Sequence, residues 1–81
     1  MNRFHLEWQC RRGMRELDML IMPFYQQYFD TLNETQQITF AEMLQFTDPE
    51  LFRWLMGQEK APTAPLRAMV ELIRTQRASD F

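Results

Sequence analysis

The stretch WQCRRGMRELD, residues 8–18, decides how the first part of the chain divides into helices. Three arginines fall within five positions here, around Gly13, one of only two glycines in the chain. Gly13 fits the position just past a helix end, where a left-handed backbone is cheap only for glycine. Glu16 and Asp18 suit the first turns of a following helix, because that helix end carries a partial positive charge. The stretch therefore predicts a helix, a sharp turn at Gly13 and a second helix.

Apolar residues recur at spacings of three and four in the rest of the chain, which is typical of helices with one buried face. Asn33 and Gln36 form a capping-box pattern, and Asp48 as a cap followed by Pro49 marks another helix start. Pro23 lies inside the longest periodic segment, which is either kinked there or broken in two. We favour the kink because the apolar period continues across it. The predicted helices span residues 2–11, 14–30, 34–46, 49–57 and 64–77.

These five helices, joined by short turns and without any alternating strand pattern, predict an all-α fold. A chain of 81 residues forms one domain, so we expect residues 1–81 to make a single compact five-helix bundle. In the first helix, Phe4 and Trp8 are expected to provide the apolar side, with Leu6 and Cys10 as further candidates. In the third helix, the residues expected in the core are Ile38, Phe40, Ala41 and Leu44.

The charge distribution argues against a general nucleic-acid-binding protein. The net charge is −2, divided into +3 over residues 1–15, −7 over residues 16–52 and +2 over residues 53–81. Nucleic-acid binding usually needs a broad basic stripe, whereas this chain has a small basic site beside an acidic body. Such a site is compatible with an anionic contact on a protein partner.

The same composition predicts a soluble cytoplasmic protein without membrane insertion. The longest apolar run, MLIMPFY at residues 19–25, is far shorter than the ~20 residues of a membrane span. No apolar segment typical of a signal peptide follows Met1. The single cysteine excludes an intramolecular disulfide, which suits a reducing compartment. We expect the free protein to be a monomer.

No arrangement of residues predicts an enzyme or a metal site. His5 and Cys10 are two possible ligands on different helix faces, whereas a structural zinc site needs four. The neighbouring arginines are expected to enhance the thiolate character of Cys10 somewhat, but no third group is available to orient a base. The chain also lacks a glycine-rich phosphate-binding loop, so it is not expected to hold FAD stably.

Residues 8–18, together with IMPFYQQYF at 21–29 and DPELFRWLM at 48–56, closely resemble the small succinate dehydrogenase assembly factors, also called flavinylation factors. The family signature is Arg-Gly, two residues, then Glu, and it corresponds here to Arg12, Gly13 and Glu16. Arg11, Met14 and Asp18 match the fuller bacterial form. The similarity runs from about Trp8 to Ile73, and the motif shows no departure from the family pattern.

The resemblance implies a five-helix bundle and a function. Family members bind the flavoprotein subunit of succinate dehydrogenase, and the resemblance extends this to the related fumarate reductase. They promote covalent attachment of FAD to a histidine of that partner and act as chaperones rather than catalysts. The implied partner-binding residues are Arg11, Arg12, Gly13, Met14, Glu16 and Asp18. We hypothesise that Gly13 allows close approach, that the arginines donate to the partner and that Glu16 accepts from it.

Two alternatives stay open at the level of sequence. The motif is also explained by helix ends alone, with Gly13 as a cap, the arginines in the last helical turn and Glu16 in the first. Both roles are compatible, since a helix cap can also be a contact surface. The alternative function is a small helical nucleic-acid or regulatory protein-binding module, supported by Trp8 and its nearby arginines.

Overall fold

The part of the chain that the structure describes is built from five α-helices, as the sequence predicts. A computed structural model of the chain describes the backbone of residues 2–79 and the side chains of residues 2–76. The helix bounds differ from the predicted ones by at most three residues. Helices α1 to α5 span Arg3–Cys10, Arg15–Tyr28, Glu34–Met43, Asp48–Leu55 and Ala64–Ser79, and a short 3₁₀ turn, Phe29–Thr31, follows α2.

Helices α2 and α5 form the centre of the bundle. Helix α5 packs against α2, α3 and α4, and helix α2 packs against α1, α4 and α5. Its buried face carries residues spaced by three and four, as predicted. Pro23 lies inside α2, which is one helix rather than two pieces. The buried residues of α2 are Leu17, Leu20, Ile21, Phe24 and Tyr25.

An aromatic cluster joins the end of α2 to α3. The ring centroid of Phe40 lies 5.8 Å from that of Phe24, 6.2 Å from that of Tyr25 and 5.5 Å from that of Phe29. Such pairs add to the stabilisation that ring burial itself provides. On the surface above them, the guanidinium of Arg3 lies 4.7 Å from the ring centroid of Phe29 and donates to the Tyr25 hydroxyl and to Asp30. These contacts hold the start of α1 against α2.

Several of the predicted helix ends are confirmed. Asn33 and Gln36 form the reciprocal capping box at the start of α3. The prediction that Asp48 caps α4 is wrong, because Thr47 is the N-cap and forms a second capping box with Glu50. Asp48 is instead the first residue of α4, and its carboxylate accepts from Arg12.

The prediction that Phe4 and Trp8 form the buried side of α1 is wrong. They are 88% and 72% exposed, whereas Leu6 and Cys10 are buried. Residues two positions apart in a helix are separated by about 200° around its axis. Phe4 and Trp8 therefore point away from Leu6 and Cys10, and only one of these pairs can face α2.

The same geometry corrects Ile38, which is 47% exposed, although it was expected in the core. Phe40, two positions along α3, is fully buried and faces the bundle. No helix within residues 2–79 has both the length and the apolar character needed to cross a membrane.

Candidate protein-binding site

The turn between α1 and α2, residues 11–14, has an open glycine at its tip. Arg11 caps the end of α1 in an extended conformation, and its N–H donates to the Trp8 carbonyl at 3.1 Å. Gly13 has φ +81°, in the left-handed region that other residues rarely adopt. A Cβ built at Gly13 would meet no atom within 4 Å. The backbone conformation thus favours glycine here, whereas the surrounding space would admit a side chain.

Arg12 turns inward beneath this tip. Its side chain is only 15% exposed, and its guanidinium donates to four acceptors. Three are backbone carbonyls, at the end of α1 and in the segment between α3 and α4, and the fourth is the first carboxylate of α4. The acceptors are the carbonyls of Gln9 at 3.2 Å, Leu44 at 2.7 Å and Phe46 at 2.7 Å, and Asp48 Oδ1 at 2.8 Å.

This arrangement corrects the position expected for the two arginines. Neither lies in the last turn of α1, which ends at Cys10. Arg12 does not simply offset the dipole of α1, because it joins the α1–α2 turn to the start of α4. The guanidinium suits this task since it is planar, permanently charged and carries five N–H donors in a fixed geometry.

Asp18 holds the same turn from the other side. Its Oδ1 accepts the backbone N–H of Arg12 at 2.8 Å, and its own N–H donates to the Met14 carbonyl at 2.9 Å. Met14 is the N-cap residue of α2, and its partly buried side chain packs against the core. Arg12, Met14 and Asp18 therefore support the turn from within.

The other three residues of the predicted set lie on the surface. Arg11, Gly13 and Glu16 are exposed around the tip of the turn. The exposed Arg15 lies between Gly13 and Glu16 in sequence. Neither Arg11 nor Arg15 forms an ion pair with any other residue whose side chain is described. The structure thus brings the six predicted residues together in this turn and the first turn of α2, with three facing solvent and three beneath.

Two features beside the turn were not predicted. One is the pair of exposed aromatic rings on α1. The other is an open, mainly apolar groove of about 320 Å³ between α2, the end of α4 and α5, and Glu16 lies among its walls. Residues from three helices form this groove, so no local sequence pattern predicts it. Its walls include Met19, Leu20, Pro23, Met56 and Ile73.

Burial opposes the thiolate character that was expected of Cys10. Cys10 is completely buried, and burial, followed by the charge of Glu7, raises the pKa of its thiol to about 12, although Arg12 acts in the opposite direction. His5 is exposed on α1. No group of three or more possible metal ligands occurs among the described residues.

Residues 4–77 match a protein family described as "Flavinator of succinate dehydrogenase". The chain belongs to this family. Its relatives include proteins named FAD assembly factor SdhE. The one from Haemophilus ducreyi is 65% identical over 74 residues, which cover 91% of this chain and 90% of the relative. The one from Pectobacterium atrosepticum is 45% identical over 75 residues, covering 93% and 85%.

A solved structure supports the fold. The solution structure of a UPF0350 protein superimposes with a TM-score of 0.79 and 42% sequence identity, covering 96% of this chain and 83% of that one. The likeness therefore extends over nearly the whole bundle. The resemblance stated from the sequence is thus confirmed at the level of family and fold.

Proposed function

We propose that this chain is an assembly factor that binds the flavoprotein subunit of succinate dehydrogenase, and of the related fumarate reductase, and promotes covalent attachment of FAD to that subunit. Relatives at up to 65% identity are named FAD assembly factors, and the family description names succinate dehydrogenase. In this proposal FAD stays on the partner, and the chain acts as a chaperone rather than an enzyme. It acts as a cytoplasmic monomer.

The proposed contact surface is the turn at Gly13 with its flanking residues. The observation that carries it is the free space around an exposed glycine whose φ is +81°. A partner backbone can approach such a position closely, since no side chain separates the two chains. Arg11 then donates to carboxylates or carbonyls of the partner, and Glu16 accepts from its donors. Arg12, Met14 and Asp18 contribute by holding the shape of this surface.

The chemistry in this proposal belongs to the partner. The docked bundle holds the flavoprotein and its FAD in a productive arrangement, which raises the rate of a reaction between groups that are already bound. The rate of flavin attachment should therefore depend on how well the turn fits the partner. It should not depend on any titratable side chain of this chain acting as an acid or base.

The structure gives little support to the alternative of a nucleic-acid-binding module. That interpretation relied on Trp8 and three nearby arginines. The Arg12 side chain is committed to four internal acceptors, which leaves Arg11 and Arg15 as exposed cations beside the turn. Two cations on a chain of net charge −2 release few counterions from a phosphate backbone.

The test compares Gly13→Arg with Gly13→Ala. Each variant is incubated with FAD and the apo flavoprotein subunit of succinate dehydrogenase. Complex formation is followed by pull-down, and covalent flavin by in-gel fluorescence. Both side chains impose the same left-handed strain, but only arginine projects far into the space that the partner is proposed to fill. We expect Gly13→Ala to support binding and flavin attachment, and Gly13→Arg to support neither.

Other outcomes contradict the proposal in different ways. Failure of the wild-type chain to bind the flavoprotein would refute the proposed function. Equal binding and equal flavin attachment with both variants would mean that the contact surface does not include the turn. Far-UV circular dichroism of the variants checks that the bundle is intact.

A further inference from the structure

The outer face of α1 carries the two most exposed large apolar side chains of residues 2–76. Phe4 is 88% exposed and Trp8 is 72% exposed, compared with 63% for Met19 and 47% for Ile38. Phe4 and Trp8 are four positions apart and therefore lie on one side of the helix. Leu6 and Cys10 fill the opposite side, against the bundle. We call Phe4 and Trp8 the α1 aromatic pair.

The packing of the bundle does not require these two rings at the surface. The side of α1 that faces the core is already complete, because Leu6 is 2% exposed and Cys10 is fully buried. A Phe or Trp side chain buries roughly 150–250 Å² when it is covered, and leaving this area in water forgoes that stabilisation. Aromatic residues are also enriched at the centres of protein interfaces, where Trp and Arg dominate the binding energy.

The aromatic pair is continuous with the turn at Gly13. The carbonyl of Trp8 accepts the N–H of Arg11 at 3.1 Å, so the end of α1 leads directly into the proposed contact surface. The cations at this end are available, since Arg11 and Arg15 form no ion pair with other residues whose side chains are described. At the far end of α1, Arg3 is already paired with Asp30 at 2.8 Å. The face is thus apolar along the helix and positively charged where it meets the turn.

We propose that the α1 aromatic pair anchors this chain to the flavoprotein subunit by entering an apolar recess whose border on the side of Arg11 carries carboxylates. This inference rests on the proposed function and adds a division of labour to it. The aromatic pair supplies affinity only, whereas the turn at Gly13 supplies both affinity and the geometry for flavin attachment. Arg11 lies beside both, and its positive charge complements the carboxylates of the recess border.

A protein recess explains the face better than a lipid surface does. Interfacial membrane helices combine a long apolar face with a polar face rich in Lys and Arg. Helix α1 has only 8 residues, carries two outward aromatic rings and includes Glu7, and the whole chain has a net charge of −2. Two neighbouring rings beside exposed arginines are instead typical of a compact protein–protein contact.

The experiment measures the affinity of the full-length chain for the apo flavoprotein subunit by isothermal titration calorimetry. We expect Trp8→Ala to weaken binding roughly 30-fold or more and Phe4→Ala roughly 5-fold or more, as at interface positions that dominate binding. Ile38→Ala is the matched control, because it removes an exposed apolar side chain from another helix, and it should bind within about twofold of wild type. All three variants should melt like wild type, since each altered side chain is exposed.

Flavin attachment separates affinity from geometry. At flavoprotein concentrations high enough to saturate the variant chain, Trp8→Ala should reach the wild-type rate of flavin attachment. Gly13→Arg should not reach it. Arg11→Glu tests the charge of the recess border, and we expect its affinity to fall roughly tenfold and to improve relative to wild type as salt is added.

Two results would overturn the anchor and leave the proposed function in place. One is binding of Trp8→Ala and Phe4→Ala at wild-type affinity. The other is a dependence on Trp8 that appears only with vesicles of phosphatidylcholine and phosphatidylglycerol, which would assign the pair to a membrane surface. Failure of the wild-type chain to bind the flavoprotein would instead refute the proposed function itself.

Discussion

Replacing Arg12 by alanine should destabilise the whole bundle, although Arg12 belongs to a signature that the family resemblance assigns to partner binding. The guanidinium makes four hydrogen bonds, three of them to backbone carbonyls and one to Asp48. The side chain of Arg12 is 15% exposed and that of Asp48 is 32% exposed, so water can replace some of the hydrogen bonds that the substitution removes. We therefore count about 1 kcal/mol per bond rather than the larger figure for charged groups in dry sites.

The expected loss is about 3–4 kcal/mol for Arg12→Ala. For a chain of 81 residues, ordinary stabilities of roughly 0.05–0.15 kcal/mol per residue give a total of about 4–12 kcal/mol. The substitution thus removes a large fraction of the stability. In a domain of this size, each kcal/mol lowers the melting temperature by about 4–8 °C, so we expect a decrease of roughly 15–30 °C.

Three further variants make this prediction specific. Arg11→Ala is the matched control, because Arg11 is exposed and its loss should change stability by less than about 0.5 kcal/mol. Arg12→Lys keeps the charge but not the planar set of donors, so it should fall between wild type and alanine. Asp48→Asn removes the ion pair but leaves the three carbonyl acceptors, and it should lower stability by only about 1 kcal/mol.

Thermal unfolding followed by far-UV circular dichroism measures all four variants under one condition. A melting temperature for Arg12→Ala within about 3 °C of the Arg11→Ala value would refute the reasoning. It would mean that the guanidinium does not hold the turn against α4 in solution. Loss of partner binding in Arg12→Ala would then have to come from direct contact with the partner.

Four smaller predictions concern Cys10, Gly13 and Thr47. Folded Cys10 should resist a disulfide exchange reagent at pH 8, because a pKa of about 12 leaves only roughly one thiol in 10⁴ ionised; rapid labelling without denaturant would contradict this. The same raised pKa should lower stability as the pH rises from about 9 to 12, since the unfolded chain releases the proton first, and Cys10→Ala should lack this part of the pH profile. Gly13→Ala should lower stability by about 1 kcal/mol through backbone strain alone, with Gly13→Asn closer to wild type in thermal melts. Thr47→Ala should remove the cap of α4 and lower stability by about 1 kcal/mol by urea unfolding, whereas an unchanged midpoint would mean that another group caps the helix.

Local chemistry allowed the helices and several of their ends to be predicted from the sequence. The capping box of Asn33 and Gln36 and the left-handed backbone at Gly13 depend on residues close together in the chain. The buried face of α2 follows from a simple period, since its apolar residues lie on one side. The predictions from helix-end residues and from the apolar period were both confirmed, because neither depends on how the helices are arranged.

The orientation of α1 and the role of Arg12 could not be derived in this way. Both sides of α1 carry apolar residues, so periodicity leaves two solutions, and only packing against α2 selects the side with Leu6 and Cys10. Most of the acceptors of Arg12 are backbone carbonyls, two of them 32 and 34 positions away. Every residue has a backbone carbonyl, so no pattern of side chains could indicate which ones the guanidinium reaches.

The two apolar sides of α1 have a consequence for the assembled state. A helix that is apolar on opposite sides is normally found between two layers of a larger protein. The bundle supplies one of these layers, through Leu6 and Cys10, and the free chain leaves the other side open at Phe4 and Trp8. In the proposed complex, α1 becomes an interior helix shared by two proteins. Covering its open side removes aromatic carbon from water, so assembly should have a negative heat-capacity change that decreases in magnitude when Trp8 is replaced by alanine.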